Sequence, residues 1–155
     1  MAGCQDGWTC GTVFELSPSP SGWTETVLHN FTGGHDGGNP IGGVTFGGDG
    51  YLYGTTSSGT PSSGGTVFSI NNPEIDSQYF YFYGNGDYFP GPWDSLTMGR
   101  PINQANFYGT TYTDGSHGYG SVFNIVVAWA CGIFGITFRY TISRALQTGH
   151  IRWAV

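Results

Sequence analysis

Tyr51-Leu-Tyr-Gly-Thr-Thr56, followed after a loop by Gly65-Thr-Val-Phe-Ser-Ile70, decides the fold because it occurs twice. Asn106-Phe-Tyr-Gly-Thr-Thr111 leads, after a loop of nearly equal length, to Gly120-Ser-Val-Phe-Asn-Ile125. The second half alone appears a third time near the start, as Gly11-Thr-Val-Phe-Glu-Leu16. The offset from Tyr53 to Tyr108 equals that from Gly65 to Gly120, and the offset from Gly11 to Gly65 is shorter by a single position. A fixed period of this kind marks a repeat array, in which each unit buries its apolar face only against a neighbour.

The composition agrees with a β-rich array. Of 155 residues 28 are glycine, 17% are aromatic and only 9% are charged. That is too aromatic for a disordered linker, and the glycines lack the three-residue period of collagen. Many turn formers beside many β-prone aromatics predict an all-β protein. There is no lysine, and all ten carboxylates lie at or before Asp114, where Arg100 is the single basic residue against them. Such an acidic body repels phosphate backbones, which argues against a nucleic-acid partner. Beyond Asp114 the sign reverses, with Arg139, Arg144 and Arg152 and no acid.

Working outward, residues 1–21 read as the end of a partial repeat, with a strand over Cys10–Leu16 closed by Ser17-Pro-Ser-Pro-Ser-Gly22. Residues 22–72 read as a complete unit. Its expected strands are Trp23–Thr32, Ile41–Phe46, Tyr51–Thr56 and Gly65–Ile70. Between them lie the glycine loop Gly33–Pro40 and the turn Gly47-Gly-Asp-Gly50, whose Asp-Gly suggests type I′. Residues 73–125 read as a diverged second unit. There Gln78–Tyr83 replaces the first strand and Gly84–Trp93 the glycine loop, while Ser95–Met98 replaces the second strand. Four short antiparallel strands per roughly 50 residues is the size of one β-propeller blade.

Residues 126–155 depart from the pattern. Val126–Phe138 is an apolar run that as a helix would reach roughly 20 Å, against a hydrocarbon core of about 30 Å. The arginines beyond it suit a cytoplasmic flank, so a membrane anchor stays open beside a buried or out-of-frame tail. No signal peptide is visible in this sequence: Met1-Ala-Gly-Cys-Gln-Asp6 has neither a basic n-region nor an apolar h-region. Cys4 and Cys10 flank a Gly-Trp turn at a spacing that suits a small loop-closing disulfide in an oxidising compartment, two free thiols being the alternative.

Gly11–Pro18, Thr24–Gly34, Asp36-Gly-Gly-Asn-Pro40 and Gly48-Asp-Gly-Tyr-Leu-Tyr-Gly-Thr-Thr56 together resemble the GloVer (Gloeo/Verruco) tandem repeat of secreted, choice-of-anchor bacterial proteins. The likeness is strong over residues 10–70, recognisable over 106–125, weak over 76–105 and absent from 126–155. It implies an exported or cell-surface array, propeller-like, whose members carry different C-terminal anchors, and it implies no catalytic residues. About two and a third units are fewer than the 4–8 blades that typically close a ring, so the resemblance suggests a fragment whose partners are neighbouring repeats of a longer chain.

Candidate chemistry is sparse. Asp87 and Asp94 flank Tyr88-Phe-Pro-Gly-Pro-Trp93, a pairing of acids and aromatics found in sugar subsites. The loop has no counterpart in the first unit and is too rich in proline and glycine to hold an acid and a base rigidly. It therefore reads as a glycan-stacking surface of Tyr88, Phe89 and Trp93 with Asp87 and Asp94 taking hydroxyl hydrogen bonds, polysaccharide being the partner. His35, Asp36 and Asp49 read as turn residues, and His29, His117 and His150 as isolated ones. No nucleophile elbow, phosphate loop, metal set or cofactor motif is present in the sequence.

Two functions of different class follow. One is a non-enzymatic extracellular or cell-surface module serving as scaffold or binding platform. The other is part of a carbohydrate-active or carbohydrate-binding β-propeller whose centre lies in other blades. A third reading, an open stub from a truncated frame, predicts poor solubility through exposed strand edges.

Overall fold

A computed structural model describes residues 10–59, 63–71, 80–83, 91–99, 105–113, 118–130 and 133–141. Among these the chain is all-β, without a helix. Ten strands run in order: β1 Thr12–Ser19, β2 Gly22–Asn30, β3 Thr45–Phe46, β4 Leu52–Thr56, β5 Ser63–Ile70, β6 Phe80–Tyr83, β7 Thr97–Met98, β8 Ala105–Thr110, β9 Val122–Ala130 and β10 Ile133–Thr141. They form a two-stranded hairpin, β1-β2, and two open four-stranded sheets, β3-β4-β5-β6 and β7-β8-β9-β10. Every pairing is antiparallel.

The duplicated motif builds the centre of both four-stranded sheets in the same register. Gly54 lies opposite Phe68 and Gly109 opposite Phe123. A Cβ on Gly54 would stand 2.4 Å from the Phe68 ring, and one on Gly109 2.3 Å from that of Phe123. Glycine is therefore what lets each phenylalanine lie flat across the neighbouring strand. Nearby, the hydroxyls of Thr56 and Thr66 meet at 2.8 Å, as do those of Thr111 and Ser121. The backbone N–H groups of Thr66 and Ser121 donate to the threonine oxygens, which satisfies these buried groups. Gly65 and Gly120 enter the second strand at φ +82° and +90°, a conformation that L side chains avoid.

Two cores join the three sheets. Val13, Phe31 and Cys10 of the hairpin side meet Phe68 and Ile70 of the first four-stranded sheet, with Leu28 and Leu52 beside them. Tyr53, Val67 and Phe82 on the other face of that sheet meet Leu96, Phe107, Phe123, Ile125 and Val127 of the second. The period-2 alternation of strand side chains makes this division: in β5 Val67 points one way and Phe68 and Ile70 the other. Phe31 meets Phe68 edge-on at 5.0 Å and 65°, and Phe82 meets Phe123 at 5.0 Å and 61°, so the two cores share one geometry.

Two expectations are corrected, and one left open is narrowed. The sheets are phased one strand later than the sequence unit. Trp23–Thr32 does not lead the first four-stranded sheet, because β2 pairs with β1 across the tight turn Pro20-Ser21. The fourth place is taken by β6, from the stretch assigned to the following unit. A tight turn commits β2 to its sequence neighbour, whereas the long glycine loop carries the chain on to another sheet.

The apolar run after Ile125 is strand and not helix where it is described. Residues 126–130 continue β9, and 133–141 return as β10 paired along their whole length. Valine, isoleucine, phenylalanine and threonine favour the pleated surface. No helix among the described residues is long and apolar enough to cross a membrane.

The Asp49-Gly50 turn is not type I′. Gly50 has φ +86° but Asp49 does not share a positive φ, which that turn demands at both central positions. The Gly50 N–H donates to the Gly47 carbonyl (3.1 Å) and the Gly47 N–H to that of Tyr51 (2.8 Å), a longer loop ending in a left-handed glycine.

Candidate functional site

The segment 91–96 carries the predicted aromatic site. It runs between the two four-stranded sheets. The Thr55 hydroxyl donates to the Asp94 carbonyl (3.0 Å), and that of Thr45 to the Leu96 carbonyl (2.7 Å). The Gly43 N–H donates to the Ser95 hydroxyl (2.8 Å). On the other side Pro92 bridges to Thr111. Held from both sides, the segment presents Trp93 outward.

Trp93 stacks on Tyr112 with ring centroids 4.9 Å apart and planes inclined by 20°, and both rings are exposed. The two rings lie nearly parallel, one stacked on the other, each with exposed surface. Asp94 is exposed beside it, its Oδ1 accepting the Ser95 N–H at 2.7 Å. Asp87, Tyr88 and Phe89 lie outside the described residues, so the expected acid pair has no distance here. Of the predicted residues, the structure places Trp93 and Asp94 together at one edge and adds Tyr112. The signal for Tyr112 was a difference between the copies: the residue after Tyr-Gly-Thr-Thr is Ser57 in the first and Tyr112 in the second.

The glycine loop brings together two residues that looked unrelated. The Nε2–H of His29 donates to Oδ2 of Asp36 at 3.2 Å, the carboxylate being able only to accept. The same carboxylate takes the Thr32 N–H (2.7 Å) and the Thr32 hydroxyl. Burial by itself would raise Asp36, but the bonds from the Thr32 hydroxyl, the Thr32 backbone and His29 outweigh it and hold the carboxyl below its ordinary value. The His29 ring is fixed edge-on to Phe31 at 4.7 Å. Asp36 thus ties the loop to β2, the structural work of a turn aspartate. His35, its neighbour, is exposed.

Asp49 has a similar task. Its Oδ1 accepts the Tyr51 N–H (3.1 Å) and its Oδ2 the Tyr53 hydroxyl (2.6 Å). Burial, then that hydrogen bond, then the Asp49 charge push the Tyr53 phenol far above its ordinary value. The neutral phenol is thus the favoured form of Tyr53, and it donates to Asp49.

Among the described residues, no three of His, Cys, Asp and Glu converge as a metal set. Cys10 is disulfide-bonded and buried in the first core. Cys4, the predicted partner, lies outside the described residues, as do His117 and His150. Compared with known proteins, the chain matches no family model, no curated protein and no solved structure.

Proposed function

We propose that the chain is a non-enzymatic extracellular or cell-surface module of GloVer type, whose propeller-like blades act as a scaffold or binding platform. The observation that carries this reading is where the polar groups go. Asp36 and Asp49 are tied to backbone and side-chain donors that shape turns, and the Thr56–Thr66 and Thr111–Ser121 hydroxyl pairs are spent inside the sheets. The stacking of consecutive antiparallel sheets through one recurring interface supports the blade comparison. Exposure on the cell surface is tested by protease shaving of intact producing cells, which should release peptides of this chain. Recovery only after lysis overturns the reading.

A second reading, carbohydrate binding, is favoured by the exposed Trp93–Tyr112 stack with Asp94 at its side. Flat aromatic faces stack on the apolar faces of sugar rings. In affinity electrophoresis through gels containing soluble polysaccharides, migration should be retarded. Trp93→Ala and Tyr112→Ala should each restore free migration without lowering Tm. Unretarded wild-type protein leaves the scaffold reading alone.

A further inference from the structure

We propose that the two ends of the sheet stack are complementary docking surfaces, and that the occupant of each is a second copy of this chain joined head to tail. The stack states its own docking rule. Val13 of the hairpin seats against Phe68 and Ile70. Val67, the repeat equivalent of Val13, seats against Phe123 and Ile125, the repeat equivalents of Phe68 and Ile70. Each valine face carries the following sheet's phenylalanine and isoleucine face, and an edge-on Phe–Phe contact at 5.0 Å accompanies both.

The same residues recur at the ends of the stack without a seat among the described residues. Phe14 and Leu16 hold the motif positions of Phe68 and Ile70, on the face of β1 opposite Val13. Phe68 is 1% exposed but Phe14 is 49% exposed. Val27, paired with Phe14, and Trp23, paired with Pro18, carry this exposed face onto β2, with the exposed Glu25, paired with Leu16, between them. At the far end Tyr108 is 40% and Val122 41% exposed, whereas their equivalents Tyr53 and Val67 are 5% and 4%. Thr110, paired with Val122, is exposed where Thr55 is buried. The more polar part of that end is already satisfied: the Asn124 side-chain amide donates to Asn106 Oδ1 (2.6 Å) and to the Phe107 carbonyl (3.0 Å). Covering Asn124 therefore strands neither of its amide hydrogens.

One chain thus carries both halves of an interface that it already forms twice within itself, and this is what selects a second copy as occupant. A contact of this kind joins different patches and so grows to a ring if the rotation closes and to a filament if it does not. The inference rests on the interface geometry and is independent of the scaffold and glycan readings.

The test uses two blocked variants of the full chain. Phe14→Arg blocks the head and Val122→Arg the tail; Leu16→Arg and Tyr108→Arg form a second pair, and only variants melting at the wild-type Tm are used. In sedimentation velocity the wild-type mass should rise with concentration beyond a dimer. Each variant alone should stay at the monomer mass. A 1:1 mixture of head-blocked and tail-blocked protein should stop at twice that mass, because it retains one working head and one working tail. A wild-type protein that stays monomeric, a single blocked variant that still self-associates, or a mixture that stays at the monomer mass each overturns the proposal.

Discussion

Tyr53 and Tyr108 occupy the same position of the same motif, and their surroundings differ in kind. Tyr53 is buried between two sheets with its hydroxyl on Asp49 and its ring 4.4 Å from that of Phe107. Tyr108 stands on the outer face of the second sheet, exposed. The phenylalanines run the other way: Phe68 and Phe123 are both buried, since each four-stranded sheet has a predecessor, while Phe14 has none among the described residues. Burial in this molecule belongs to the place in the stack. The motif specifies a sheet with apolar side chains on both faces, and among the described residues only the middle sheet has both covered.

The largest expected effect breaks that comparison at the phenylalanines. Phe68→Ala and Phe123→Ala should each cost about 3–5 kcal/mol through lost burial and a residual cavity. Phe14→Ala, the same change at the same motif position, should cost less than about 1 kcal/mol. Urea denaturation with a common m-value checks this; equal losses at all three positions would show that the motif and not the stack sets the cost.

Next come the glycines under the rings. Gly54→Ala and Gly109→Ala should each destabilise by about 1–3 kcal/mol, since the new methyl meets an aromatic ring that backbone pairing holds in place. Here the two sheets should behave alike, because the clash lies within one sheet. A marked inequality in thermal melts would mean that one ring has room to tilt away.

The smallest effect sharpens the tyrosine pair. Tyr53→Phe should cost about 1–2 kcal/mol by removing a donor from a carboxylate, and Tyr108→Phe about 0.5 kcal/mol at most. The raised phenol of Tyr53 gives a sign to the pH dependence. Its contribution is fully present below the ordinary tyrosine value of about 10 and is lost as pH rises above it, because only the unfolded chain ionises there. Stability should therefore fall through alkaline pH in the wild type, and less in Tyr53→Phe. A spectrophotometric titration in which Tyr53 ionises with the exposed tyrosines would refute the burial argument.

Much of this was legible in local sequence. Strand class, the antiparallel pairing of the duplicated motif and the turn roles of Asp36 and Asp49 follow from period-2 alternation and turn chemistry, which act over a few residues. Other features needed distant chain. His29 meets Asp36 only because the glycine loop folds back on β2, and Trp93 meets Tyr112 because segment 91–96 is clamped between sheets. The apolar run at 126–138, left open between an anchor helix and a buried or out-of-frame tail, is strand where it is described because β9 and β10 pair.

The chain by itself determined that its strands would be antiparallel and which side chains would share a face of each strand. Tertiary structure decided which strand closes each sheet and which copy of each face is covered. Side-chain alternation is fixed by backbone geometry within a strand, whereas pairing and stacking depend on which surface a loop happens to deliver next to it.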